Sequence, residues 1–161
     1  MVSFGKSRDG EFKKSVKSIN SYLKMIDPSV SPISDKMVGD IPATNTQLSY
    51  ANIRIEVIVA KPKGQTKSDL ILSAAVCPLP KENLLPFYRQ LLVWNNFQTD
   101  VAHLAINDQQ GMVYVVMRRP VLGLDCWKFR DNVDKMSTVT QCYSHVEKAV
   151  RFMTSVRNHG H

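Results

Sequence analysis

Two possible metal ligands stand three residues apart near the carboxyl end of the sequence. Cys142 and His145 have the i, i+3 spacing that places two side chains on one face of a helix. A structural zinc ion needs four ligands, and Cys126 lies several turns away on the same predicted helix. We therefore expect no metal site, and we interpret the pair as one interior thiol and one surface imidazole.

The sequence also lacks a complete motif for catalysis or for phosphate binding. The sequence lacks the G-x-S-x-G pattern of serine hydrolases, and its acidic residues are scattered. His103 alternates with apolar residues, which is typical of a partly exposed strand position. Gly64 stands among Lys61, Lys63 and Lys67 without the strand–loop–helix frame of a P-loop, so we interpret this segment as a solvated hairpin turn. We expect no enzyme activity and no cofactor.

Arg118 and Arg119 precede Pro120 at the end of an apolar run. Two guanidinium groups can contact a carboxylate or another anion, because each presents a rigid fork of donors. The alternative is that both reach solvent or a neighbouring acidic residue of the same chain. We keep both arginines as candidate partner-binding residues.

The charge of the chain raises the question of nucleic-acid binding. Lys and Arg number 21 against 14 Asp and Glu, a formal net charge of +7. A basic surface binds phosphates with salt-dependent affinity. Here the basic residues are spread along the chain, and aromatic residues do not interleave with them on a strand as in an RNA-stacking platform. A nucleic-acid or anionic-surface binding protein is therefore the alternative function.

Length and composition indicate one globular domain spanning residues 1–161. The 161 residues are 43% hydrophobic and 22% charged, which is enough apolar content for a core. Three cysteines are too few for a disulfide framework. No apolar stretch reaches the ~18 residues of a membrane span, and the first residues lack a signal-peptide run. We expect a cytoplasmic protein.

The hydrophobic period alternates between helix and strand along the chain. Helical spacing covers 12–26, 84–94 and 125–156, and strand patterns cover 53–59, 70–76, 102–107 and 112–117. Residues 28–47 read as a connection with a short edge strand near 37–41. This order predicts an α+β fold, α-ββ-α-ββ-α, with an antiparallel sheet of four to five strands covered on one side by the first and last helices. The apolar run 112–117 predicts a central strand with both faces covered.

The helix predicted over 84–94 has more large apolar residues than one packing face can hold. A helix on a sheet buries a stripe about 100° wide. That stripe would be filled by Leu84, Tyr88, Leu91 and Leu92. The apolar residues left over are Leu85, Phe87, Val93 and Trp94. A second copy of the chain, the long final helix or the connection at 28–47 must cover them; we favour a homodimer that uses these four residues.

The stretch from Leu84 to Lys135 resembles class I type III secretion chaperones and YbjN-like proteins. The segment LLPFYRQLLVWN at 84–95 is similar to their central helix, Leu-x-x-x-Tyr/Leu-x-x-Leu-Leu-x-x-Asn. Residues 102–108 and 111–115 look like their next hairpin, and RPVLGLD at 119–125 looks like the entry to their last helix. The element order extends the resemblance to most of the chain, although those chaperones are usually acidic.

The resemblance implies a small homodimer that binds an extended or partly unfolded segment of a protein partner, without catalysis or a cofactor. Together with the residues above, it predicts a non-catalytic protein-binding module that acts as a chaperone or adaptor. The partner-binding or dimer candidates are Leu85, Phe87, Val93, Trp94, Arg118 and Arg119.

Overall fold

The structure, a computed structural model, describes residues 5–35, 43–97 and 102–158. Within these ranges three helices and five strands follow one another along the chain. They are α1 (Gly5–Ile26), β1 (Ala43–Tyr50), β2 (Ile53–Ala60), β3 (Asp69–Pro78), α2 (Leu84–Phe97), β4 (His103–Asn107), β5 (Met112–Pro120) and α3 (Cys126–Asn158). The predicted α+β fold is confirmed, with one additional strand before the first predicted hairpin.

All five strands pair antiparallel in a sheet of order β1-β2-β3-β5-β4. The register aligns one row of buried side chains across the whole sheet. The members of this row are Leu48, Ile55, Ala74, Val115 and Leu104. Because paired residues share a face, this row defines the face of the sheet that the core covers.

Strand β1 was not predicted, because most of the segment was assigned to the connection over 28–47. Its first residues, Ala-Thr-Asn-Thr-Gln, give no apolar alternation, and Leu48 is its one buried side chain. An edge strand needs only a partner strand for its backbone, and β1 pairs along the whole length of β2. The edge strand predicted near 37–41 lies outside the described residues.

Helices α1 and α3 cover one face of the sheet, as predicted. The face of α1 that packs inward carries Phe12, Val16, Ile19 and Leu23, all buried. The two helices also meet each other, because the Tyr22 ring lies 5.8 Å from the Phe129 ring. The hydroxyl of Tyr22 donates to the carbonyl oxygen of Leu124 at 2.9 Å, which fixes the start of α3 against α1.

The opposite face of the sheet is only half-buried. In β5, Val113, Val115 and Met117 are buried, whereas Tyr114 and Val116 are partly exposed. Strand β5 is therefore interior to the sheet, but the prediction that both of its faces are covered was wrong. The sequence of β5 is continuously apolar over 112–117 because its second face is also apolar, although that face is only half-buried.

Asp125 caps the amino end of helix α3. The carboxylate of Asp125 accepts a hydrogen bond from the backbone N–H of Lys128 at 2.8 Å, which satisfies one of the free donors of the first turn. The helix then continues through 137–140, where Ser, Thr and Val are weaker helix formers than Ala or Leu. Thr138 and Thr140 donate their hydroxyls to the carbonyl oxygens four residues earlier, at 3.0 and 2.7 Å, so that no polar side chain interrupts the helix.

A polar cluster ties α1 to the connection between β2 and β3. Glu11 accepts hydrogen bonds from the N–H and the hydroxyl of Ser68, at 3.0 and 2.9 Å, and Lys61 lies 3.4 Å from its carboxylate. Lys61 is only 4% exposed, so its prediction as part of a solvated turn was wrong. Burial acts to raise the pKa of Glu11, but the hydrogen bonds from Ser68, Ser15 and Lys61 together lower it below its ordinary value.

Candidate functional site

Helix α2 packs beside the edge strand β4 and against α3. The side chain of Asn95 donates to the carbonyl oxygen of Leu104 at 3.2 Å and accepts from the N–H of Leu104 at 2.7 Å. This amide therefore occupies backbone groups of β4 that an edge strand would otherwise leave unpaired. On the α3 side, the Trp94 ring lies 5.7 Å from the ring of Tyr143.

The inward side of α2 differs from the predicted one. Phe87, Leu91 and Trp94 recur at i, i+4 and i+7 and pack toward the core, and Leu91 is 5% exposed. Leu84 and Leu92, which were expected to face the core, are 39% and 64% exposed. The helix is thus rotated relative to the expectation, and two of the predicted interface residues, Phe87 and Trp94, support the helix from inside.

The outward side of α2 is an exposed apolar surface. Leu85 is 62% exposed, Leu92 is 64% exposed and Val93 is 45% exposed. We call the surface formed by Leu84, Leu85, Leu92 and Val93 the α2 face. Arg89 is exposed and lies one turn from both Leu85 and Val93, so a charged side chain stands within this apolar surface, and exposed Asn96 borders it toward the carboxyl end of the helix. These exposed apolar side chains make the α2 face a candidate interaction surface.

The two arginines of the predicted site lie apart from the α2 face. Arg118 donates from Nε and Nη2 to one carboxylate oxygen of Asp69, at 2.8 and 2.5 Å. Both arginines lie beyond Val116, the last residue of β5 that pairs with β4. Arg118 and Arg119 are consecutive on a strand and so point to opposite faces of the sheet, which means that they do not form one joint anion site.

Cys142 and His145, the possible metal ligands named from the sequence, belong to no larger ligand cluster within the described part of the chain. Among the described residues, no three His, Cys, Asp or Glu side chains stand close enough to hold a metal ion. Cys142 is exposed, and Nδ1 of His145 lies 2.8 Å from the carbonyl oxygen of Gln141. In the same ranges, none of the helices combines the length and the apolar content that a membrane span requires.

A second surface feature, a basic groove, was not predicted. It runs between α1 and residues 33–35, has a volume of about 700 Å³ and is lined by Lys13, Lys14, Lys17 and Lys24. The spacing i, i+4, i+11 of three of these lysines was visible in the sequence. What the sequence did not indicate is the other wall, which comes from the segment that follows α1.

Solved structures resemble this chain, although no protein-family model and no curated protein sequence matches it. A chain of the ExsC–ExsE complex superposes with a TM-score of 0.57 at 14% identity, over 81% of this chain and 93% of the other. A chain of the HopA1–SchA chaperone–effector complex gives a TM-score of 0.50 at 10% identity, over 83% and 94%. The type III secretion chaperone SycH of Yersinia pestis, in complex with a stable fragment of YscM2, gives 0.51 at 10% identity, over 83% and 99%.

This chain has the fold of type III secretion chaperones. The superpositions extend over most of each matched chain, so the likeness concerns the whole arrangement of helices and sheet and not one motif. At identities of 10–14% the likeness establishes the fold alone. The similarity to YbjN-like proteins stays a prediction.

Proposed function

We propose that this protein is a non-catalytic, chaperone-like module of the cytoplasm that acts as a homodimer and binds an extended segment of a protein partner. The whole chain, residues 1–161, forms the single domain of this module. The observation that carries the proposal is the α2 face, four large apolar side chains exposed on one helix. The fold supports it, because two of the similar structures are complexes of a chaperone with another protein.

The α2 face suits contact with a second copy of the chain. A twofold interface pairs one patch with the same patch of the second copy. Each copy would therefore bury its own four exposed residues in the dimer. Burying a large aliphatic side chain contributes about 1 kcal/mol or more, and association costs at least about 4 kcal/mol in lost freedom. Eight apolar side chains from two copies therefore contribute an amount of the same order as that cost, which ranges from about 4 to 15 kcal/mol.

The six residues named from the sequence take different roles in this proposal. Leu85 and Val93 contact the second copy, and Phe87 and Trp94 hold α2 in position for that contact. Arg118, which is held by Asp69, and Arg119, which is half-buried, are candidate contacts to the protein partner and not to the second copy.

Light scattering on the purified protein tests the dimer. We expect the mass of two chains at micromolar concentration, and the mass of one chain for Leu85→Glu/Leu92→Glu. The matched control is Leu122→Glu, because Leu122 is 63% exposed but lies in the loop between β5 and α3. A wild-type mass of one chain contradicts the dimer, and equal dissociation by the Leu122 variant contradicts its placement on α2.

Affinity capture tests the kind of partner. Tagged protein is purified from its source cell with and without nuclease treatment, and the co-purifying molecules are quantified. A protein that stays bound in stoichiometric amount after nuclease treatment, and rebinds when purified, supports the proposal. Stoichiometric nucleic acid without such a protein supports the alternative of a nucleic-acid binding protein instead.

A further inference from the structure

The basic groove is a built feature of the fold and not a chance depression. Asn20 of α1 donates to the carbonyl oxygen of Ile33 at 2.9 Å and accepts from its N–H at 2.7 Å, so one side chain holds both walls together. Thr46 of β1 fixes the same segment by donating to the carbonyl oxygen of Ser31 at 2.7 Å. Val16 and Ile33, both buried, form the floor between the walls.

Four lysines bring positive charge to the groove. Lys13, Lys17 and Lys24 lie on one stripe of α1, and Lys14 flanks them. Within the part of the chain whose side chains the structure describes, none of these lysines forms an ion pair. Like charges one turn apart on a helix repel each other, so an anionic ligand in the groove would relieve that repulsion.

We propose that this groove binds an acidic, extended segment of the protein partner, an inference that rests on the proposed function. The stripe from Lys13 to Lys24 extends about 16 Å along α1, which matches about five residues of extended chain. Asp35 is the acidic residue on the lining.

Carboxylates fit the lining better than a nucleic acid does. Lysine ammonium groups pair with carboxylates and with phosphates alike, so the charge of the lining does not by itself choose between them. Single-stranded nucleic acids also bind through bases stacked on aromatic side chains. The groove lining contains neither arginine nor an aromatic residue. Ser21, which is exposed, adds a hydroxyl to the lining that can bond to a peptide.

Fluorescence anisotropy tests the proposal with a dye-labelled peptide of about ten residues that alternates Glu and Val, a length that covers the groove with a margin. We expect Lys13→Gln/Lys17→Gln/Lys24→Gln to weaken binding by about tenfold or more, since three charge pairs are lost. The control, Lys63→Gln/Lys67→Gln/Lys81→Gln, removes the same charge from exposed positions and should change binding by less than about twofold. Circular dichroism checks that both variants are folded.

Three results overturn the proposal. Equal loss in both triple variants shows attraction by net charge alone, and equal affinity for the peptide with Gln in place of Glu shows that carboxylates are not recognised. A single-stranded oligonucleotide that binds more tightly than the peptide, and is lost only in the groove variant, assigns the groove to nucleic acid. These results can be distinguished from failure of the proposed function. A groove variant that stays dimeric and keeps the captured partner contradicts the groove proposal but still agrees with the proposed function.

Discussion

The indole ring of Trp94 on α2 packs against the phenol ring of Tyr143 on α3, with the ring centroids 5.7 Å apart and the planes inclined by 41°. Tilted aromatic pairs at this separation are favourable beyond their buried area. Together with the Asn95 bonds to β4, this contact fixes the rotation of α2 about its own axis. The exposure of Leu85 and Leu92 on the other side follows from that rotation.

Replacement of Trp94 should therefore affect stability and not only assembly. We expect Trp94→Ala to lower the free energy of unfolding by about 2–3 kcal/mol, less than for a fully buried tryptophan because the ring is half-buried. Trp94→Tyr, which retains a ring, should cost less than about 1.5 kcal/mol. Urea unfolding with both variants in the Leu85→Glu/Leu92→Glu background measures the effect without a contribution from dissociation. An unchanged midpoint for Trp94→Ala would show that the ring contact does not anchor α2.

The amide of Asn95 gives a second prediction, about the edge of the sheet. Asn95→Ala removes a donor and an acceptor from Leu104, which leaves backbone groups of β4 unsatisfied, so we expect a loss of about 1–3 kcal/mol. Hydrogen exchange of the Leu104 amide should become faster. The matched control is Asn96→Ala, because Asn96 is exposed on the same helix. Exchange at Leu104 that is equally slow in both variants would contradict this role.

The sequence predicted the buried side of a helix correctly where the spacing of apolar residues defines only one apolar stripe. The spacing of Phe12, Val16, Ile19 and Leu23 defines a single apolar stripe, and that stripe is buried. Helix α2 admits two solutions, because Leu91 belongs both to the predicted stripe with Leu84 and to the observed stripe with Trp94. The contacts of α2 with Tyr143 and Leu104 determine which of the two stripes is buried. Helical periodicity carries no information about contacts with other elements.

The remaining differences have the same origin. Strand β1 carries a polar sequence and is defined by its pairing with β2. Lys61 looks like a surface residue until Glu11, fifty positions earlier, is placed beside it. To predict the α2 face and the basic groove, one must know which elements pack beside α2 and α1. The helical periodicity of a single sequence shows only which residues share a side of each helix.

The turn between β1 and β2 gives a stabilising prediction. Ala51 and Asn52 have φ values of 47° and 64°, the left-handed conformations of a two-residue hairpin turn, which alanine adopts at a cost. We expect Ala51→Asn/Asn52→Gly, the preferred pair for this turn, to raise the free energy of unfolding by about 1 kcal/mol and the Tm by a few degrees. Thermal melts measure the change. The variant keeps the hydrogen bond that the side-chain amide of Gln141 donates to the carbonyl oxygen of residue 51, so a lower Tm would mean that the turn is not strained.

The cluster around Glu11 gives a prediction about acid stability. Burial acts to raise the pKa of Glu11, but the hydrogen bonds from Ser68, Ser15 and Lys61 outweigh it and lower the pKa. A carboxyl whose pKa is lower in the folded protein than in the unfolded chain contributes stability above the unfolded value near 4.5. That contribution is lost as the pH falls through the folded pKa, because the unfolded chain then binds the proton first.

Glu11→Gln should therefore flatten the acid side of the stability profile. At pH 7 we expect the variant to be less stable by about 1–3 kcal/mol, since the hydrogen bonds to a charged acceptor weaken and buried Lys61 loses an anionic neighbour. Below the folded pKa the carboxyl of the wild type is neutral as well, so the two unfolding free energies should converge. Urea unfolding at a series of pH values between about 3 and 7 measures this, with exposed Glu82→Gln as the control. A difference between wild type and Glu11→Gln that stays constant over this range would show that the charge of Glu11 does not hold α1 to the sheet.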